Sequence, residues 1–360
     1  MDIKNRNENI SYESAGVSIG TANETKRQFK DIVSSKSSGS CRPVNQVGAF
    51  ASLVELDLEN YTKPVFVLKS EEPGSKQALA IDNNKIEWIA RDLINHLVND
   101  IIVMGASPRA VLDTIICGKF EKETVLKLVG EISAACGENG CVLVGGETSE
   151  QPGMLPAGRY ILQASVLGIA EKSKIIDGSR IKAGNALICL ASNGLHTNGY
   201  SLVRKLIETK PGILEEKING MSFLEAVLQP HVSYFEAIKT ILEKYPDNIC
   251  GMAHITGGGI RDNLERIIHD GSLSANIDLA EIKTPPIFGV IKNYANIPDE
   301  EMLATFNNGA GLIIAAEANL AENIINSVKS TGIDAYIIGE IIKSDNKNKK
   351  IIFNNKPVWN

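Results

Sequence analysis

Apolar residues recur at helical spacing between positions 86 and 103, with Ile89, Leu93, Leu97 and Ile101 in one row and Ala90, Ile94, Val98 and Ile102 beside it. That four-residue recurrence predicts a helix with one buried face. A second helical segment over 122–135 stops at Gly137 and leads into the short apolar run C-V-L-V. V-F-V-L at 65–68, R-Y-I-L-Q-A-S-V-L-G-I-A and A-L-I-C-L-A read as strands. Strands alternating with helices predict an α/β (α+β) protein. The charged segment E-K-S-K-I-I-D-G-S-R-I-K-A-G interrupts this order and places a domain boundary near residue 172. Beyond it the chain alternates strands with the glycine-rich loops S-N-G-L-H-T-N-G-Y-S, H-I-T-G-G-G-I-R-D-N and T-F-N-N-G-A-G, the last leading into the strand L-I-I-A-A. The expected organisation is therefore an N-terminal segment 1–40, a first domain 41–172, a second domain 173–345 and a polar tail 346–360. In the N-terminal segment, 23–33 reads as a helix and S-S-K-S-S-G-S as a flexible loop able to close over a site.

A length of 360 residues suits two domains, because single cores rarely grow past about 250–300 residues. No stretch approaches the ~18 consecutive apolar residues of a membrane span, and the polar first ten residues lack the apolar core of a signal peptide. The expectation is a cytoplasmic protein without a membrane partner. A net charge of −6 argues against nucleic-acid binding through a basic surface. Six cysteines in a chain of this length, at 41, 117, 136, 141, 189 and 250, do not make a disulfide framework. Cys136 and Cys141 bracket a turn without a second ligand pair, so packing explains them better than zinc.

On the helix over 86–103, Asp92, His96 and Asp100 lie at i, i+4 and i+8, flanked by Asn95 and Asn99. A carboxylate wall for Mg²⁺ and phosphates is one reading. Spacing alone favours a plain solvated face, since most helices carry one. In G-G-E-T-S-E, Gly146 lets the backbone approach a ligand, Glu147 offers a metal ligand and Thr148 a donor, although a glycine-rich turn fits equally. The loop holding His196, Thr197, Asn198 and Ser201 opens a helix whose free N–H groups attract anions, with helix capping as the alternative. His254, Thr256, Gly257, Gly258 and Arg261 repeat that build. Two such loops in one domain suggest a phosphorylated small molecule. K-S-E-E-P-G-S-K at 69–76 looks like a phosphate loop behind a strand, but it lacks the G-x-x-x-x-G-K-[ST] spacing of a Walker A element.

Taken in order, Y-E-S-A-G-V, L-V-N-D-I-I-V-M-G-A-S-P, G-G-E-T-S-E-Q-P-G-M, E-K-S-K-I-I-D-G, S-N-G-L-H-T-N-G-Y-S-L-V-R-K, A-H-I-T-G-G-G, P-P-I-F and T-F-N-N-G-A-G resemble the phosphoribosylformylglycinamidine cyclo-ligase (aminoimidazole ribonucleotide synthetase) family from Tyr12 to about Ile342. The resemblance implies an ATP-binding N-terminal domain that forms a homodimer and a C-terminal α/β domain. It also implies purine-biosynthetic chemistry with ATP and Mg²⁺, in which an amide-like oxygen of a phosphoribosyl amidine is phosphorylated and then displaced by a neighbouring nitrogen. By position, Lys30 would neutralise phosphate charge, and Glu71, Gly74, Ser75, Lys76, Asp100, Gly146, Glu147 and Thr148 would line the nucleotide site. Glu71, Asp100 and Glu147 would hold the metal. Lys30, Asp100 and His196 would act in catalysis, while Thr197, Asn198, His254, Thr256, Gly257 and Gly258 would face the substrate; His96 is not a family position.

The departures from the family pattern lie in the N-terminal domain. Its D-G-V-G-T-K loop is here E-E-P-G-S-K. Pro73 removes a backbone donor, and a carboxylate such as Glu72 ~5 Å from a phosphate costs roughly 3 kcal/mol at an effective dielectric of ~20. Three readings stay open on the sequence: the cyclo-ligase itself, a paralogue activating a different amide or carbonyl with ATP, and a ribonucleotide-binding subunit without turnover.

Overall fold

The computed structural model describes Gln28, Ile32 and residues 40–45, 48–344 and 349–359. Lys30 and nearly all of the expected N-terminal helix and loop lie outside the described residues. Strands β1 (Cys41–Pro43) and β2 (Val54–Leu56) form a small antiparallel ribbon. β3 (Pro64–Glu71), β4 (Ser107–Cys117), β5 (Val142–Glu150) and β6 (Tyr160–Glu171) form a four-stranded sheet in the order β3-β6-β4-β5. Only β4 and β5 in it run parallel, joined through the crossover helix Lys122–Glu138.

The alternation of β6 explains its place. Tyr160, Leu162, Ala164 and Val166 point into the core, and the residues between them face outward. Helices Ile86–Ile102 and Lys122–Glu138 cover that inner face with Ile89, Leu93, Leu97, Ile101, Val125, Leu128 and Ile132, all buried. On the outer face the β1–β2 ribbon covers Ala110, Val142 and Val144, while Phe66, Leu68, Leu112 and Ile161 remain exposed.

The second sheet holds β7 (Asn185–Ala191), β10 (Ile249–His254), β11 (Leu273–Asp278), β12 (Ala310–Glu317), β13 (Ala335–Lys343) and β14 (Ile351–Asn354), in the order β10-β12-β7-β13-β11-β14. A two-residue pair, β8 (Lys217–Ile218) and β9 (Met221–Ser222), stands apart. The passage from the first sheet to the second falls after Glu171. One apolar cluster runs through both halves, from Leu97 and Ile101 to Tyr234 and Ile238.

Three sequence-based expectations change. G-G-E-T-S-E is not a loop: it continues β5 to Glu150, because β4 offers a parallel partner for each residue. The polar tail is only partly a tail, since Ile351–Asn354 adds β14 in parallel to β11, burying Ile351. The polar stripe on helix Ile86–Ile102 is not solvated either. Asp92, Asn95, His96 and Asn99 are buried against the second domain. Among the described residues, no helix is long and apolar enough to cross a membrane. All six cysteines are buried.

Candidate active site at the domain interface

The buried stripe is a row of hydrogen bonds to the segment that precedes helix Phe235–Lys244. Asn95 Nδ2 donates to the carbonyl of His231 at 2.7 Å, and Asn99 Nδ2 donates to that of Val232 at 2.8 Å. Backbone N–H groups return the bonds, from His231 to Asp92 Oδ1 at 2.7 Å and from Tyr234 to Asn99 Oδ1 at 3.0 Å. Backbone groups buried at a domain seam need such partners, and amide and carboxylate side chains at helical spacing supply them in register.

Lys76 anchors the same seam. It opens helix Lys76–Asp82, is fully buried, and its ammonium donates to Asp92 Oδ1 at 2.8 Å, to the His196 carbonyl at 2.9 Å and to the Gln229 carbonyl at 2.8 Å. Burial pushes the lysine below its usual range and raises Asp92 to about 6, against their mutual attraction. All three N–H donors are spent in this structure, where the residue expected at a phosphate instead ties the opening loop to the segments around His196 and Gln229.

Asp100, one turn beyond His96, reaches further across. Its Oδ1 accepts from Nδ1 of His254 at 2.7 Å, and its Oδ2 lies 2.9 Å from the ammonium of Lys69. Lys69 also meets Glu71 Oε1 at 2.7 Å. Burial alone would raise Asp100, but His254, His96 and Lys69 hold it well below the usual carboxylate range. Glu71 and Asp100 thus converge on one cation, with the partly exposed Lys69 ammonium lying between them. Such a pair fits Mg²⁺, which takes one or two carboxylates plus phosphate oxygens. Glu147 does not fit with them inside one chain. Glu71, Ala164, Asp113 and Gly146 sit side by side across β3, β6, β4 and β5, which puts β5 about 14 Å from β3 at three strand spacings.

The loop Glu71–Lys76 carries its own anion. Glu72 Oε2 accepts the N–H of Gly74 at 2.9 Å and Nε2 of Gln77 at 3.1 Å, so a carboxylate occupies a donor that a phosphate would seek. Gly74 lies close under the Thr197 carbonyl, and the Ser75 and Ser201 hydroxyls are 3.3 Å apart. Asn198 lies against Gly257, and Thr256 is held by Asn263 at 3.2 Å, Asn263 in turn bonding the carbonyls of Gly257 and Gly259. The structure therefore brings Glu71, Gly74, Ser75, Asp100, Thr197, Asn198, His254, Thr256, Gly257 and Gly258 to one seam, and leaves Gly146, Glu147 and Thr148 on the far edge of the first sheet.

Four of the five histidines gather behind Asp100. His231 Nε2 and His254 Nε2 are 3.0 Å apart; the Thr197 hydroxyl lies 3.0 Å from His96 Nδ1 and 3.5 Å from His231 Nδ1. The ring of His196 stacks on that of His231 with centroids 3.9 Å apart. Burial and neighbouring positive groups lower His96 to about 4 and hold His196 and His231 well below 6.5, so these three rings are neutral. His196 is a non-glycine residue at φ 60° with 1% exposure, and neither of its ring nitrogens has a hydrogen-bond partner. A side chain on Gly311 would collide with the Tyr234 hydroxyl and crowd the His196 ring, so only glycine admits that packing. Lys69 and His231 escape sequence reasoning: Lys69 precedes the E-E-P-G-S-K loop without a motif role of its own, and His231 sits in Q-P-H-V-S-Y with no motif around it.

Residues 62–170 match the AIR synthase related protein N-terminal domain model, and residues 182–351 match the AIR synthase related protein C-terminal domain model. The chain belongs to the AIR synthase related family. The two matched regions end and begin on either side of the segment that joins the two sheets, and the second reaches the first residue of β14. Curated relatives include the phosphoribosylformylglycinamidine cyclo-ligases of Aromatoleum aromaticum, 36% identical over 92% of this chain and 94% of that one, and Methylobacillus flagellatus, 39% identical over the same shares. Among solved structures, E. coli HypE shares the fold of this AIR synthase related chain at a TM-score of 0.65 and 17% identity, covering 93% of this chain and 94% of its own. The hydrogenase maturation protein HypE in complex with ATP gives a TM-score of 0.60 at 14% identity, with 85% of each chain covered.

Proposed function

We propose that the chain is an ATP-dependent cyclo-ligase that converts formylglycinamidine ribonucleotide to aminoimidazole ribonucleotide in purine biosynthesis. The observation that carries the reading is the 2.7 Å contact between Asp100 and His254. It joins the carboxylate pair of the first domain, suited to a metal and phosphates, to the H-I-T-G-G-G loop of the second. In the reaction the amide-type oxygen of the substrate takes the γ-phosphoryl group and ADP departs. The neighbouring nitrogen then attacks the activated carbon, phosphate leaves with the oxygen, and the nitrogen loses a proton as the ring closes.

Glu71 and Asp100 would hold Mg²⁺ once Lys69 swings aside, and the ion would supply charge neutralisation for the transferring phosphoryl group. Until then Glu71 and Asp100 hold the Lys69 ammonium charged although burial works against it, and once displaced it would follow the phosphate oxygens. The interface position matters because transfer of this kind rests on alignment and on excluding water. The exposed apolar residues Phe66, Leu68, Leu112 and Ile161 on the outer face of the first sheet support a homodimer formed through that face, and the purine pathway supports a cytoplasmic location.

Release of ADP from Mg²⁺-ATP that depends on formylglycinamidine ribonucleotide, with aminoimidazole ribonucleotide as the co-product, is the expected result. Asp100→Asn should reduce it at least about 100-fold while thermal unfolding stays cooperative. ADP release with a different amide alone would assign a recruited paralogue. A second reading, a ribonucleotide-binding subunit without turnover, is favoured by Glu72 occupying the Gly74 N–H and by Pro73. Nucleotide or substrate binding without any ADP release would select it.

A further inference from the structure

We propose that His196, His231 and His254 form a binding site for a divalent transition-metal ion of the zinc class, behind the carboxylates that serve the nucleotide. The three side chains come from two loops and the end of β10, and their ligand nitrogens all lie within 4.8 Å of one another. Two imidazole nitrogens bound to one tetrahedral zinc at about 2.0–2.1 Å are about 3.3 Å apart. His231 Nε2 and His254 Nε2, at 3.0 Å, already stand close to that separation. His196 joins them once its ring turns out of the stack with His231, so that a nitrogen lone pair points to the shared ion.

The outer contacts a metal site needs are in place. Metal-binding histidines characteristically give their second nitrogen to a carboxylate or other acceptor, which fixes ring orientation. His254 does so through Nδ1 to Asp100 Oδ1 at 2.7 Å, and His231 Nδ1 faces the Thr197 hydroxyl at 3.5 Å. His196 supplies the independent indication of a missing ligand. It is 1% exposed, held in the left-handed region at φ 60°, and both ring nitrogens are unpartnered, an arrangement costly for a buried polar group without a function.

Imidazole donors select zinc, copper, nickel or iron over Mg²⁺, which prefers oxygen. The two ions therefore need not compete. A rival triad, His96, Asp100 and His254, also lies within the same span. It is disfavoured because His254 Nδ1 is spent on Asp100 Oδ1 at 2.7 Å, so the two would have to part before binding one ion together. The inference does not rest on the cyclo-ligase reading, because metal retention and ADP release are measured separately.

The test uses the full chain stripped with chelator, dialysed, and titrated with Co²⁺ as a spectroscopic probe and with Zn²⁺. The expected result is one ion per chain, an intense visible ligand-field band of a four- or five-coordinate Co²⁺ site, and a metal-induced rise in Tm. His231→Gln and, separately, His196→Gln should weaken retention at least about 100-fold and abolish that rise, whereas His96→Gln should keep both. Each variant's Tm without metal shows that it folds. Absence of retention by the folded parent chain would overturn the site. Loss with His96→Gln, and retention with the other two, would move the ion to the rival triad and equally overturn this assignment.

Discussion

Replacing Lys76 by methionine tests whether this residue holds the domains together or holds a nucleotide. In the structure its ammonium makes three hydrogen bonds of 2.8–2.9 Å with no solvent exposure, to Asp92 and to two carbonyls of the second domain. Methionine fills most of the volume but leaves Asp92 buried, its Oδ1 bonded only by the His231 N–H and its Oδ2 already unpartnered. Breaking a buried pair by removing one partner costs about 3–5 kcal/mol. At roughly 2 °C per kcal/mol for a chain of this size, Tm should fall by roughly 6–10 °C at pH 7.5. Adding Asp92→Asn should restore about 2 kcal/mol by removing the stranded charge. The remaining deficit reflects the unpaired carbonyls of His196 and Gln229. Differential scanning fluorimetry measures the shift, and isothermal calorimetry with Mg²⁺-ATP measures the binding. A Tm within about 1 °C of the parent, together with tenfold weaker ATP binding, would refute the seam role and return Lys76 to the nucleotide.

Other consequences can be checked as directly. Burial raises Asp113 to about 7 with no charged partner. The unfolded carboxyl ionises near 3.8 while the folded one keeps its proton, so stability is fully present below about pH 4 and is lost as pH rises to about 7. Asp113→Asn should therefore match the parent at pH 4 and exceed it by a few kcal/mol at pH 7.5 in urea unfolding; a constant difference across that range would contradict the burial argument. Glu72→Ala frees the Gly74 N–H and removes a negative charge, and should tighten Mg²⁺-ATP binding about threefold, a modest gain because the side chain is exposed. Unchanged affinity would place the phosphates elsewhere. Phe66→Asp with Leu68→Asp puts two charges on the exposed sheet face; sedimentation should show a dimer of the parent chain converted to folded monomer, and an unaffected dimer would locate the interface on another surface.

Local pattern determined much of this protein. The four-residue apolar row made helix Ile86–Ile102 readable, the alternation of Tyr160, Leu162, Ala164 and Val166 made β6 readable, and the ordered glycine-rich motifs carried the family. Those signals are legible because each depends on periods of two or 3.6 residues, or on a few contiguous side chains. The meaning of polar residues was not local. Asp92, Asn95, His96 and Asn99 have the spacing of a solvated face, and only the approach of residues 229–234 turned them into a buried seam. G-G-E-T-S-E became strand because β4 lay alongside, and Ile351–Asn354 because β11 offered an edge.

The loop K-S-E-E-P-G-S-K shows both limits at once. Its sequence excluded a Walker A element and located the conflict at Glu72, but not that Glu72 folds back onto Gly74, that Lys69 bridges Glu71 and Asp100, or that Lys76 points away into the seam. The histidine cluster assembles residues 96, 196, 231 and 254 from separate elements of both domains. Charge, hydrogen-bond capacity and ligand type belong to the residue and can be read from the chain. Which donor meets which acceptor, and whether water is excluded when they meet, is set by the packing of segments far apart in sequence, and that only the tertiary structure decides.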